Sequence, residues 1–490
     1  MVSLAPEGPR ELTGHMRLAY LALWSCACTT ALLAQPTMLV PGYDLTQFHQ
    51  EPTGSLITSL TVDDQNRLYM VNQSGHIKVL EDQNGDGVAE TITTYWNGTG
   101  IAPVPSVGLL WFQGWVYLSA RGSIKRLRDI DGDLVADTVT NIATLLPNGW
   151  HHNNDLFTDG TSIYFGLGSA SDHDVDPDPR SATVMRMAPD GSAMTIYATG
   201  LRNVFDGIVH PVSGELFVGD NGPNLVAGNP DPPEEIDRIL PTRDYGHPNN
   251  WGIPPIGAAN ESPILELTSH ASPCGMAINP TTGISGHRNE MVMVTFSSVG
   301  ANLVRLPLHY GVLTNFPGTW TEDFAQDFTT PIDLQFDQTG ALFVAEYSPG
   351  TVWSIRQASP ARTIIESQTS VGMTCNLTFS APGFPGDVIF AAASTGLGPA
   401  PVPIGNGYGI YLDTTSPFWL FSMAPNNGIF NLPAPGILDA AGNATGSILI
   451  PNVPSLVGFF VEVQFLVGSV ATGTPVASSP PLRVTVQVAW

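Results

Sequence analysis

The 490-residue chain carries 18 Lys and Arg against 43 Asp and Glu, a formal charge of −25. That balance argues against nucleic acid as a partner, because phosphate binding needs basic surface. With 43% hydrophobic and 12% charged residues the chain is too apolar to be disordered, and its 50 Gly and 42 Pro suit a turn-rich β protein better than a helical one.

Residues 1–34 read as an export signal. "MRLAYLALWSCACTTALLAQP" has a basic start at Arg17, a short apolar run and small residues up to Ala34. The polar, acidic stretch before it marks Met16 as a candidate true start. Trp24 disfavours a lipoprotein cysteine at Cys26, so cleavage near Ala34 is expected. The apolar run is short for a spanning helix and no later stretch offers one. The expected destination is therefore secreted or periplasmic, with cell-surface association an option.

From residue 35 to 360 a strand pair recurs: apolar residues, a turn with Asp, Gly or Asn, then an aliphatic-aromatic step. It appears as "SLTVDDQNRLYMVNQSGHIKVL", "GLLWFQGWVYLSARGSIKRL" and "NDLFTDGTSIYFGLGS". It returns as "DGIVHPVSGELFVGDNG", "CGMAINPTTGISGHRNEMVMVTF" and "PIDLQFDQTGALFVAEYSPGTVWSI". Repeats of about 40–50 residues with several short strands each predict propeller blades, and six units predict a six-bladed β-propeller.

Two acidic loops lie between the early repeats. "DQNGDGVAE" places Asp82, Asn84, Asp86 and Glu90 at alternating positions around Gly87. "DIDGDLVAD" repeats this with Asp129, Asp131, Asp133 and Asp137, with Leu134 in the glycine's place. Alternating oxygen ligands in a tight loop suit calcium, and without a Glu at position 12 these are not full EF-hands. Solvated Asp-Gly turns are the alternative.

Further on, "NGWHHNNDLFTDG" sets His151 and His152 before a strand. A histidine is the usual group for taking a proton from a hydroxyl. Adjacent residues on an extended chain point to opposite faces, so one of the two would face a central site. Next, "GLRNVFDGIVHPVSGELFVGDNGPN" puts a cation and an amide, Arg202 and Asn203, ahead of a strand that ends in a turn.

From 361 to 490 charges are few and Pro-Gly turns many. "LRVTVQVAW" alternates Val484, Val486, Val488 and Trp490 on one face, as a half-buried strand does. A C-terminal β-sandwich is expected there, for attachment, sorting or stabilisation. Cys274 and Cys375 remain after signal removal. They either bridge the two domains or are buried separately.

The stretches "HHNNDLFTDGTSIYFGLGS", "GLRNVFDGIVHPVSGELFVGDNGP" and "PEEIDRILPTRDYGHPN" resemble, in order and spacing, the soluble PQQ-dependent glucose/sorbosone dehydrogenases, which are six-bladed propellers. The resemblance covers the propeller only. It implies His151 as the catalytic base and Arg202 and Asn203 as holders of the cofactor's acidic groups. It also implies the Gly222 and Pro223 carbonyls as ligands of the cofactor-side calcium, and Glu235 and Tyr245 as a further calcium site. The implied reaction oxidises a sugar or alcohol, typically aldose to lactone, with an external electron acceptor.

Three departures accompany it. The last blade reads Thr330-Pro331 where the resemblance implies arginine, leaving Asp333 as its cofactor residue. The fifth blade offers only Arg305 for an implied lysine. Gly168-Ser169 stands where Gly-Asp is frequent. The chain therefore leaves two other readings open: a calcium-stabilised propeller that binds glycan or protein without catalysis, and a metal-dependent lactonase.

Overall fold

The computed structural model describes residues 35–101, 105–224, 231–296, 302–306, 321–367, 369–424 and 427–487. The stretch expected to be an export signal lies outside the described residues, as do Val488 and Trp490. Among the described residues no helix is long and apolar enough to cross a membrane. The protein is all-β: a six-bladed propeller followed by a β-sandwich.

Each blade is an antiparallel sheet that starts with an inner strand. These inner strands are Ile57–Val62, Ser106–Phe112, Asn153–Thr158, Val204–Val209, Pro273–Ile278 and Pro331–Phe336, defining blades 1 to 6. Each packs against the next, and the sixth against the first, so the ring is closed. An exchanged strand latches the closure: Tyr43–Gln50, ahead of all six repeats, forms the outer strand of blade 6 by pairing with Thr351–Gln357. Apolar side chains alternate between the faces of each sheet and interdigitate between blades, giving separate cores such as Tyr69, Val79, Leu109 and Leu118 between blades 1 and 2.

All six inner strands break register at the same level, for example between Asn153 and Leu156 and between Pro331 and Asp333. A bulge leaves an amide without its ladder partner. Aspartates of neighbouring blades supply it. Asp333 Oδ2 accepts from Leu60 N at 2.6 Å, Asp155 Oδ1 from Leu109 N at 3.0 Å, and Asp206 Oδ2 from Met276 N at 2.8 Å. The three carboxyls are buried along the axis. Burial and mutual repulsion raise Asp155 and Asp206 well above the usual range, and burial pushes Asp333 up to about 7. Inner strands must approach closely for this, which explains their glycines. A Cβ on Gly275 would stand 2.4 Å from the Asp333 Cα. Gly275→Ala is expected to cost about 1–3 kcal/mol, read as a lower midpoint in denaturant titration.

The sandwich faces two sheets over one core that contains Cys375, Phe379, Val463 and Phe465. Its first strand, Arg362–Ile365, pairs in parallel with Gly286–His287 of the fifth blade, and Arg288 makes a two-pronged contact with Glu366 at 2.5 and 2.7 Å. Cys274 sits in a propeller core and Cys375 in the sandwich core, both as free thiols. No disulfide joins the two.

Candidate functional site

The loops that enter an inner strand and the loops between second and third strands share one end of the propeller. His151 lies on the former in blade 3 and Arg202 on the former in blade 4. Asp172 and Gly222 lie on the latter in the same two blades. Four segments distant in sequence therefore meet here.

The meeting point is Asp172, which the sequence reading missed. Its Oδ1 accepts from Arg202 Nη2 at 2.5 Å and lies 3.2 Å from His151 Nε2, while its Oδ2 lies 3.2 Å from His173 Nδ1. Gly168-Ser169 thus does not leave the site without a carboxylate, because Asp172, three residues on, supplies one. Gly168 itself is required: a Cβ there would meet His151 Cβ at 2.5 Å and Asn203 Oδ1 at 2.7 Å. The His151 imidazole is pushed down to about 4, first by burial and then by the Arg202 charge, against the opposing pull of Asp172. It is neutral at pH 7. Burial alone would raise Asp172, but Arg202, His173 and His151 outweigh it and hold the carboxyl below its usual range. His152 is turned away, with Nδ1 at 2.9 Å from the Asn153 carbonyl.

Arg202 is nearly fully buried and its guanidinium is already engaged. Nη1 donates to the carbonyls of Asn221 at 2.7 Å and Gly222 at 2.8 Å. Its backbone and that of Asn203 are fixed by Asp220, which accepts from both amides at 2.9 and 2.6 Å. The Asn203 side chain accepts from Asn154 Nδ2 at 2.8 Å. Arg121 lies on the His152 side, where its charge helps to lower that imidazole: its Nη2 donates to the Gly149 carbonyl at 2.9 Å, and its Nε is buried without a partner among the described residues.

Two sequence assignments do not fit this arrangement. Asp333 lies within the axial channel with its oxygens on the Leu60 and Leu334 amides rather than on the His151 cluster. Its bulge-capping role explains its presence without a cofactor. Arg305 faces the sandwich junction, donating to the Ser285 carbonyl and to Glu322, so it is not a substitute for the expected lysine. A cavity of about 610 Å³ opens along the axis at the far ends of the inner strands, lined by Asp63, Trp111, Asp155, Asp206 and Asp333 among others, away from His151.

Behind Arg202 lies a set of buried carboxyls. Asp220 and Glu235 are directly paired across the second and third strands of blade 4, and Asp237 follows two residues on, on the same face. Their oxygens lie within 4.8 Å of one another. Like charges placed opposite are destabilising, and both Asp237 oxygens are buried without a hydrogen-bond partner among the described residues. Burial and neighbouring carboxylates push Glu235 up to about 8, burial pushes Asp220 up to about 6, and Asp237 is raised well above the usual range by burial, Glu235 and Asp220. This donor set suits a divalent cation. The Tyr245 phenol does not join it: it donates to the Arg238 carbonyl and accepts from Leu240 N.

The two surface loops close on themselves. Asp82, Asp86 and Glu90 converge, and Asn84 Nδ2 donates to Glu90 at 2.7 Å, joining the strands of a blade 1 hairpin. Asp129, Asp131 and Asp137 do the same in blade 2, whereas Asp133 caps Val135 N. Gly87 and Leu134 occupy matching left-handed positions, with φ of 89° and 63°.

Comparison with known proteins agrees at the level of fold. Residues 38–250 match a family model described as a domain of unknown function (DUF7133). No curated protein matches the chain. Among solved structures, it is similar to a calcium structure of a family AA12 carbohydrate-active enzyme from Trichoderma reesei, at 17% identity and TM-score 0.57, covering 68% of this chain and 100% of that one. It is similar to the holo PQQ domain of a pyranose dehydrogenase from Coprinopsis cinerea, at 14% identity and TM-score 0.52, covering 67% and 99%. A putative oxidoreductase (glucose dehydrogenase) from Thermus thermophilus follows at 19% and 0.50, covering 64% and 100%. The chain thus shares its propeller fold with these structures.

Proposed function

We propose that the chain is an exported, calcium-dependent dehydrogenase of sugar or alcohol hydroxyls that uses PQQ and passes electrons to an external acceptor. The observation that carries this reading is the convergence of His151 and Arg202 on Asp172, with the Gly222 carbonyl on the same guanidinium, at one end of the axis. Arg202 and Asn203 supply the donors that an acidic cofactor requires. They fit it on one condition, that Asp172 yields the Arg202 guanidinium. PQQ, when bound, supplies a quinone that accepts the hydride leaving the hydroxyl-bearing carbon.

The chain's own residues do the rest. His151, neutral and half-buried, donates its Nε2 hydrogen to the Asp172 carboxylate 3.2 Å away, so it takes the hydroxyl proton at Nδ1, and Asp172 stabilises the cation that forms. Asn154 and Gly168 fix Asn203 beside it. Calcium is proposed at Gly222 and Pro223 beside the cofactor, in the Asp220–Glu235–Asp237 cluster, and in the loops at Asp82, Asn84, Asp86 and Glu90 and at Asp129, Asp131, Asp133 and Asp137. On the reading of residues 1–34 as an export signal, the proposed reaction takes place outside the cytoplasm.

The test is reconstitution of the purified mature chain with PQQ and calcium, followed by absorbance and by reduction of an electron-accepting dye with a panel of aldoses and alcohols. A shifted quinone spectrum and substrate-dependent dye reduction are expected. A spectrum identical to that of free PQQ at every protein concentration rejects the reading.

A further inference from the structure

We infer that Asp172 is an internal occupant of the carboxylate site on Arg202, and that a ligand's carboxylate binds by taking its place. The inference rests on the proposed reading for the identity of the ligand, but not for the exchange itself.

Arg202 has five N–H donors in a rigid fork. In this fold its two outer nitrogens point at oxygens of the chain itself. Nη2 meets Asp172 at 2.5 Å, Nη1 meets the carbonyls of Asn221 and Gly222, and Nε is unpaired but shut away from solvent. The Arg202 side chain is 7% exposed and that of Asp172 is 18% exposed. An incoming anion therefore finds no accessible idle nitrogen on this guanidinium. What it does find is a more exposed carboxylate on a turn, held by side-chain contacts to His151, His173 and Arg202. One carboxylate can replace another on the same guanidinium edge with the same geometry and charge, which is the least disruptive way to admit an acidic ligand.

The exchange has a second consequence. The Gly222 carbonyl accepts from Arg202, so a cation using its second lone pair stands close to the guanidinium charge and needs further negative charge beside it. A ligand carboxylate on Nη2 leaves the Nη1 contacts in place and releases Asp172 as a free oxygen ligand on the same guanidinium's flank. Anion uptake and cation uptake at this end of the propeller are therefore linked, each favouring the other.

Asp172→Asn keeps the shape and removes the competing charge, and Arg202→Gln removes the site. Binding of oxalate, the simplest dicarboxylate, is measured by calorimetry in calcium-free buffer and binding of PQQ both with and without calcium, with thermal unfolding confirming that each variant is folded. Asp172→Asn is expected to bind oxalate at least tenfold more tightly than the parent chain, and Arg202→Gln not at all. Equal or weaker oxalate binding by Asp172→Asn overturns the inference. Tighter oxalate binding without PQQ binding by either chain upholds the exchange and removes the cofactor reading. Should Asp172→Asn fail to fold, Asp172→Ser repeats the comparison, and an unchanged oxalate affinity there overturns the inference equally.

Discussion

His151→Gln is expected to lower dye-reduction turnover by about 10²–10⁴-fold, the usual contribution of a positioned general base, with little change in KM. Glutamine keeps a hydrogen-bonding group near Asp172 but cannot accept the hydroxyl proton. The loss therefore falls on the chemical step rather than on ground-state binding. The pH profile gives a second readout. A base must be unprotonated, so the parent chain loses activity as pH falls through the His151 pKa. Burial and the Arg202 charge place the free imidazole at about 4, below the ordinary 6.5. A ligand carboxylate on Arg202 offsets that charge, so the acid limb of the loaded protein is expected between these two values. In the glutamine variant the limb disappears. A variant that retains full turnover, or retains the same limb, rejects His151 as the base.

The propeller was legible because its signal is periodic. Six recurrences of an apolar strand, a turn and an aliphatic-aromatic step carry the two-residue alternation of short strands regardless of what the loops do. The closing strand Tyr43–Gln50 was not legible as such, because it belongs to blade 6 in space and precedes blade 1 in sequence. The site was legible only where a motif is local. His151, Arg202 and Asn203 sit at fixed offsets before inner strands, so their positions follow once the blades are found. Asp172 sits in a turn whose sequence, "SASDHDVDPDP", offers several acids and no period. Which of them reaches Arg202 is decided by the path of the turn in three dimensions. Asp333 shows the opposite case. It was retained at an expected position, yet the bulge it caps is sufficient reason for an aspartate there, as Asp155 and Asp206 do the same work with no cofactor role assigned to either. Asp237 shows a third: alternating Glu235 and Asp237 on a buried strand contradicts the apolar pattern of its neighbours, and that contradiction was itself the available signal.

That buried set yields the last expected result. Removing calcium from the mature chain with a chelator is expected to lower its unfolding temperature by roughly 5–10 °C at pH 8. The figure follows from about 2.7 kcal/mol of linkage at a hundredfold excess over Kd and about 2–4 °C per kcal/mol for a domain of this order of size. The pH dependence is diagnostic. Asp220 is raised from 3.8 to about 6 and Glu235 from 4.5 to about 8, first by burial. In the chelated protein the fold therefore holds protons that the unfolded chain has released. Their stabilising effect is complete below about pH 4 and is lost as pH rises through 6 and then 8. Calcium replaces those protons, so the gap between the calcium-loaded and chelated proteins should widen from pH 5 to pH 8. Asp237→Asn removes a carboxylate whose oxygens have no other partner among the described residues. It is expected to stabilise the chelated protein at pH 8 and to shrink the calcium-dependent shift, whatever remains being assigned to the exposed loops at Asp82 and Asp129. A shift that Asp237→Asn leaves unchanged, or a gap that does not grow with pH, would show that the buried carboxyls keep their protons and that no cation enters between them.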